Sequence, residues 1–463
     1  MTTSYLRSFL AHHLRPGGAT AGDGRARAVV NLALPAVGEQ VLNMTVGLVD
    51  TFLVGHLGAA SIAGLSFANQ FVMLAIMLIS SIATGSTVLI ARAVGAGDKE
   101  LARRTVNQSL LLAGLMGLVT TALGTLLSGP AVRLMGADAD ALPLGVAYLQ
   151  IVSCSFLPTA LLFAGNACLR GAGDTRTTMR IMLLINVVNI AVASSLIYGP
   201  LGLPRLGVVG SALGAACART LGGIVVLLLL ARGKSGLQLA WRVMRVPDLR
   251  LIRRVLQIGI PTGIEMLLMR LADMSFFRTV ATLGTAACAA HAVAMNAQSL
   301  SFAPGFGFAI AATTLVGQAL GARDPQRAER DGYLAFQLGG GVMTVMGVVF
   351  LLFARQIIGF FTDDPQVVAL GAGPLQVIAF GQPLFGASMI FSGALRGAGD
   401  TRWPMLANGL SMWVVRLSLA LFFVLALRLG LVGAWYAMVA DVTVRAALNF
   451  LRFRRGGWKR IEV

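Results

Sequence analysis

The sequence predicts an all-α membrane protein of twelve transmembrane helices, arranged as two six-helix lobes about a pseudo-two-fold axis along the membrane normal. Three observations predict it. First, the 463-residue chain is 56% hydrophobic and only 12% charged, whereas soluble chains carry about 25% charged residues. Second, about twelve apolar runs approach or exceed the ~18 residues that cross a bilayer core. Third, the chain repeats itself: residues 169–176 and 395–402 both read LRGAGDTR, 226 positions apart.

The same offset pairs GAGD at 95–98 with GARD at 321–324, Pro35 with Pro261, Glu39 with Glu265, and Leu149-Gln150 with Leu375-Gln376. Self-similarity at one fixed offset marks a duplicated unit. Six helices return each half to the side where it began, so the halves are parallel repeats. That architecture belongs to secondary transporters, with the site near the midplane between or inside the lobes.

Residues 1–28 are polar and rich in Arg, His and Gly. They lack the apolar core of a secretory signal and read as an N-terminal tail. The first lobe, 29–236, holds α1 (29–54), α2 (65–91), α3 (105–127), α4 (142–169), α5 (179–198) and α6 (208–231). Residues 237–254 alternate apolar and basic positions and read as an interfacial linker on an anionic leaflet. The second lobe, 255–450, holds α7 (255–283), α8 (286–319), α9 (332–353), α10 (367–395), α11 (404–427) and α12 (430–450), before a basic tail at 451–463.

Lysine and arginine sort by side. The loops after even-numbered helices carry Arg92, Lys99, Arg103 and Arg104, then Arg170, Arg176 and Arg180, and continue so to the C-terminus. The odd loops hold only Arg133, Arg205, Arg355 and Arg428. The positive-inside rule puts both termini and the even loops in the cytoplasm, for a multi-pass protein of the cytoplasmic membrane. The net charge of +18 is then a record of topology, not a nucleic-acid footprint. Cys154, Cys168, Cys217 and Cys288 lie in apolar runs without metal-ligand spacing and read as small core filler.

Both LRGAGDTR copies fall in loops after the fourth helix of a lobe. Their glycines allow a tight turn, and Asp174 and Asp400 are placed to cap the next helix. A phosphate cradle would need a preceding strand, which is lacking.

Ionisable residues inside a bilayer are expensive and mark candidate sites. On α1, Glu39 and Asp50 are eleven residues apart, so they share one face at a separation of roughly 16 Å along the axis. Asn43 lies on the same stripe. Buried carboxyls can load and release protons near neutral pH. The alternative is a structural acid bonded to an Arg or Asn of another helix. On α7, Glu265 duplicates Glu39, while Arg270 and Asp273 stand three apart and read as an internal pair. Asp441 and Arg445 read the same way on α12, and Arg219 and Arg416 as partners for acids or as snorkelling side chains. His291 reads first as a satisfied interhelical histidine, then as a proton switch. Asn69, Gln70, Asn296 and Gln298 can line a polar cavity. Met73, Met77, Met266, Met269 and Met389 suit an adaptable site and equally an ordinary membrane core. No H-E-x-x-H or G-x-S-x-G lies within a span, which argues against an intramembrane enzyme.

The chain resembles the multidrug and toxic compound extrusion (MATE) family. The resemblance runs from about Val29 to Phe450. It is carried by Pro35, Val49-Asp50-Thr51, Gly55 and Leu57-Gly58, by GAGD at 95 and by the doubled LRGAGDTR. It is also carried by Ala290-His291-Ala292-Val293, Pro304-Gly305-Phe306-Gly307 and Val316-Gly317-Gln318-Ala319-Leu320-Gly321. It implies two six-helix bundles and export of organic cations and other amphipathic compounds in exchange for H+ or Na+, with no other cofactor. It places Asp50 on the family's cation-coupling aspartate and Asn186 and Asn189 on an α5 pattern. Ala193 stands where that pattern has an aspartate, and α10 has no acid. The candidate coupling residues are therefore Asp50, Glu39, Asn43, Asn189, Glu265 and Asp273. The candidate cavity residues are Gln70, Met73, Met266, Met269, Asn296 and Gln298. The expected assembly is a monomer in the bilayer, without nucleic acid. The rival reading, a lipid-linked oligosaccharide flippase of related architecture, would need a basic intramembrane pocket for pyrophosphate.

Overall fold

The computed structural model describes residues 19–55, 59–136, 138–199, 205–239 and 247–461. The N-terminal tail before Ala19 and linker positions 240–246 lie outside the described residues, as does the side chain of Asp50.

All regular structure among the described residues is helical. The predicted spans recur, mostly with longer ends: α1 Ala19–Gly55, α2 Ala59–Gly95, α3 Lys99–Leu126, α5 Thr175–Tyr198, α6 Val208–Ala231, α7 Leu249–Ala281, α9 Pro325–Phe361, α10 Pro365–Gly397 and α12 Gly430–Arg455. The added turns are polar, so hydropathy does not mark them. Capping does. The side chains of Asp98, Asp248, Asp324 and Asp364 each accept from a backbone N–H in the first turn of the next helix. The last part of the predicted linker is thus the first turn and a half of α7.

Three helices are not continuous. α4 divides into α4a (Ala141–Cys154) and α4b (Phe156–Gly171), bent by 51°. α8 divides into α8a (Thr285–Ser299) and α8b (Phe302–Gly321). Each break has a serine bonded back to its own helix, Ser155 to the Val152 carbonyl at 2.6 Å and Ser301 to the Gln298 carbonyl at 2.7 Å. Each is followed within three residues by a proline, Pro158 or Pro304, which fits only the first turn of the new helix. α11 begins at Arg402–Leu410 and continues through two π-helical turns, Ser411–Arg416 and Phe422–Ala426.

Among the described residues, ten helices are long and apolar enough to cross a membrane, and the bent α4 pair makes eleven. α1, with 37 residues, is the twelfth by its place in the repeat. In the first half α4b packs on α2, α3 and α6, and α5 on α1 and α6; in the second α10 packs on α8, α9 and α12. Ile90, Val106, Leu169 and Val226 centre one core, and Phe350, Ile358, Leu375 and Trp435 the other.

The halves meet at the end that carries the basic loops. There α8b wedges against α1 and α2, and α2 runs along α7. Small residues let the backbones approach. A Cβ on Gly95 would strike the Gln318 carbonyl, and a Cβ on Gly321 the Arg92 carbonyl. The offset of 226 maps Gly95 on Gly321 and Arg92 on Gln318, so this crossing of α2 and α8b is reciprocal and lies on the pseudo-two-fold axis. Beyond its break, α8a packs on α7, α9 and α10 of its own half.

The basic C-terminal segment is folded back rather than trailing. Trp458 is fully buried, stacks on Phe453 at 4.7 Å and donates to the Phe453 carbonyl at 2.6 Å. Lys459 pairs with Glu329 at 2.6 Å. Trp458→Ala is expected to cost about 3–5 kcal/mol, as large-to-small changes of buried aromatics do. A thermal unfolding curve in detergent that does not move would contradict this.

Candidate functional site

Glu39 and Glu265 occupy equivalent places and meet equivalent partners. Arg170 Nη1 donates to Glu39 Oε1 at 2.7 Å, and Arg396 Nη2 donates to Glu265 Oε1 at 2.7 Å. Both arginines are the second letter of the repeated phrase. Thr178 Oγ1 adds a bond to Glu39 Oε2 at 2.7 Å, and Asn408 Nδ2 one to Glu265 Oε1 at 2.7 Å. The acids are 6% and 1% exposed. At both positions the structure thus has the pairing of an acid with an arginine of another helix. Arg170, Arg396, Thr178 and Asn408 were not among the sequence candidates. The signal was present in the register, since both acids stand 131 residues before their arginines.

The second half carries a charge chain that has no counterpart among the described residues of the first. Arg416 of α11 donates to Asp273 of α7 at 2.9 Å and through Nε to Asp441 of α12 at 2.9 Å. Arg445 and Ser411 also donate to Asp441, at 2.8 and 2.7 Å. Ser411 and Arg416 are five residues apart, about 140° around an ordinary α-helix. The π-helical turn from Ser411 to Arg416 turns both toward Asp441. Asp441 is fully buried, whereas the Asp273 side chain is 48% exposed. The expected Arg270–Asp273 pair gives way to longer-range contacts. Asp273 faces Arg416, and Arg270 reaches across to Gln70 of α2 at 3.2 Å. Helical spacing allowed the local pair, and tertiary packing supplied better partners. The Asp441–Arg445 pair is present as expected. By register, Asp273, Arg416 and Asp441 correspond to Gly47, Ile190 and Ala215.

The other candidates are spread over α1, α2, α5, α7 and α8a. Asn43 donates to the Glu39 backbone carbonyl at 3.1 Å and is exposed. Asn189 is buried on α5, whose Asn186 donates to the Leu42 carbonyl of α1 at 3.1 Å. Met73 is half-exposed at 52%, Met266 and Met269 are partly buried, Asn296 is exposed and Gln298 is buried. His291 accepts at Nδ1 from the Trp435 indole at 3.2 Å and lies among Phe276, Phe277 and Trp435. It is the satisfied interhelical histidine. Asp50 lies on α1 outside the described side chains; its register equivalent, Phe276, lies with its ring 5.8 Å from the Arg416 guanidinium carbon.

The repeated phrase itself joins the halves. Gln318 Nε2 donates to the Gly171 carbonyl at 3.1 Å, and Thr314 Oγ1 to that of Arg170 at 3.0 Å. In return Arg92 Nη2 donates to the Ala398 carbonyl at 2.7 Å. Each half thus grips the other's copy through register-equivalent residues, Gln318 and Arg92. The aspartates of the copies differ. Asp174 caps α5 by accepting from the Thr177 N–H at 3.0 Å. Asp400 pairs instead with Arg452 at 2.8 Å, because α12 brings an arginine to the second copy.

The sequence pattern of the MatE family matches twice, over residues 35–194 and 261–422. The chain is 32% identical over 442 residues to a probable multidrug resistance protein NorM of Thermotoga maritima, covering 94% of each chain. It is 28% identical to the uncharacterized transporter YisQ of Bacillus subtilis, over 93% of this chain and 94% of the other. Among solved structures, MATE in complex with MaL6 superposes with a TM-score of 0.88 at 25% identity, covering 93% of this chain and 96% of that one. A MOP superfamily transporter from Pyrococcus furiosus superposes at 0.87, with 25% identity and coverage of 95% and 97%.

Proposed function

Because this chain belongs to the MatE family, we propose that it is a secondary antiporter that exports organic cations and amphipathic drugs in exchange for H+. One observation carries this reading: two pseudo-symmetric halves are clasped at one end through each other's copy of a repeated turn. Such a joint can open at one face as it closes at the other, which is what alternating access requires. The basic loops favour a cytoplasmic place for the clasp, which supports reading this conformation as the outward-facing one. The related proteins named as multidrug resistance proteins and as MATE transporters support the substrate class.

Asp50 is the proposed coupling group, since Glu39 and Glu265 are already engaged by arginines. Asp273 is the second candidate, being the half-exposed end of the charge chain. The flippase reading requires free intramembrane arginine for pyrophosphate. Of the arginines within the spans, Arg170, Arg396, Arg416 and Arg445 each answer to a carboxylate, which counts against that reading; Arg219 of α6 and Arg270 of α7 do not.

The test is efflux of a fluorescent organic cation from proteoliposomes under imposed gradients. Collapse of the pH gradient alone is expected to stop efflux, and Asp50→Asn to remove the pH-driven component. A sodium ionophore that stops efflux while the pH gradient stands would make Na+ the coupling ion. Efflux that outlives both gradients would end the antiport reading, and full pH-driven efflux by Asp50→Asn would end the role of Asp50.

A further inference from the structure

The two halves do not close identically at the basic end. On one side of the clasp a cavity of about 690 Å³ opens between them, lined by Arg92 of α2, Arg254 and Gln257 of α7, Arg402 of the second phrase, and the backbone near Ile461. Among the described residues its one carboxylate is Asp400, which is paired with Arg452 at 2.8 Å. Arg254 and Arg402 are exposed. Arg92 bonds the Ala398 and Ile461 carbonyls through Nη2 but keeps a buried Nε without a partner. The cavity is therefore a concentration of positive charge with unused donors.

It continues into a second hollow of about 450 Å³ along α7 that shares Gln257 and Arg402, adds Arg253, and is otherwise apolar, with Ile252, Leu256 and Ile260 in its wall. Leu249, also in this wall, is 75% exposed and Ile260 is 52% exposed, so the described residues leave this apolar face of α7 uncovered. The register assigns the full set of three arginines to one seam only. Arg254 corresponds to Ala28 and Arg92 to Gln318, while Arg402 corresponds to Arg176, which bonds Asn31 at 3.3 Å.

We propose that this seam binds an anionic glycerophospholipid of the adjoining leaflet, its phosphate among Arg92, Arg254 and Arg402 and an acyl chain in the groove along α7. Charge complementarity selects the headgroup. Basic pockets between membrane helices recognise such headgroups, and guanidinium forks fit phosphate oxygens. The apolar continuation selects a lipid over a free anion. A lipid seated there touches both halves and holds the basic end shut.

The experiment is native mass spectrometry of the purified full chain titrated with phosphatidylglycerol or phosphatidylcholine. Wild-type protein is expected to retain phosphatidylglycerol in preference. R254Q/R402Q is expected to lose about thirtyfold in phosphatidylglycerol affinity while phosphatidylcholine binding holds. R254K/R402K is expected to keep most of the preference, and Arg330→Gln, at an exposed position of α9, to change nothing. Equal retention of the two lipids by wild-type protein would overturn the proposal, as would unchanged affinity in R254Q/R402Q. Displacement of phosphatidylglycerol by millimolar inorganic phosphate would assign the site to free phosphate and overturn the lipid. The wild-type comparison and the phosphate competition decide the matter even if the glutamine variant does not fold.

Discussion

Leucine in place of Gly95 or Gly321 is expected to cut efflux severely while leaving the protein folded. At each position the added side chain meets a backbone carbonyl of the other half, Gln318 or Arg92, and not the yielding tip of a side chain. The clasp cannot close around it. Overpacking of this kind costs about 1–3 kcal/mol, and here the cost falls on one conformation only. A difference of that size moves a two-state ratio about 5- to 150-fold, toward the state open at the basic end. Spin labels placed across that end are expected to report a longer distance, and efflux is expected to fall at least about tenfold. Gly341→Leu is the control, since its Cβ meets nothing within 4 Å. Normal efflux by both clasp variants would mean that the glycine crossing is not the joint.

The second large effect concerns Glu265. Arg396→Met removes its charge partner and leaves a 1% exposed carboxylate with Asn408 alone, while Oε2 already lacks a partner. Breaking a buried pair on one side costs about 3–5 kcal/mol, so the melting temperature should fall sharply. E265Q/R396M removes both charges and is expected to recover most of that loss. Arg170→Met is expected to lower stability in the same way, because Glu39 is likewise left with one neutral partner, the Thr178 hydroxyl at 2.7 Å. The double variant also separates two roles. Stability with full transport makes the pair a structural tie, whereas stability without transport gives Glu265 a part in coupling. A single Arg396→Met variant as stable as wild type would contradict the burial argument.

Much of the architecture was legible because it is written in hydropathy and repetition. The apolar runs located the spans, and α6 matches its predicted bounds at Val208–Ala231. The doubled phrase supplied the register. Helix breaks were harder to read. Pro158 and Pro304 each end one helix piece and begin the next, whereas Pro35, Pro261, Pro374 and Pro383 lie within continuous helices. Proline alone does not distinguish these cases; the serine that back-bonds just before it does. The acids of the site were equally plain, because charge is rare in an apolar run. Their partners were not, because sequence spacing proposes only local pairs. Arg270 and Asp273 fit the helical interval, yet Arg416, 143 residues away, holds Asp273. The π-helical turn that aims Arg416 leaves no mark in the residue pattern. Glu39 and Glu265 were different. A shared interval of 131 residues to Arg170 and Arg396 could have been found by asking which basic residues repeat along with the acids.

The folded-back C-terminus has a practical consequence. Ile461 lends its carbonyl to Arg92 at 2.9 Å, on the same guanidinium that grips Ala398. Ile461 is therefore part of the contact between the halves. An affinity tag joined at Val463 begins two residues from that bond, close enough for its bulk or charge to bias the clasp. Kinetic comparisons between preparations should carry the tag at the other terminus or remove it.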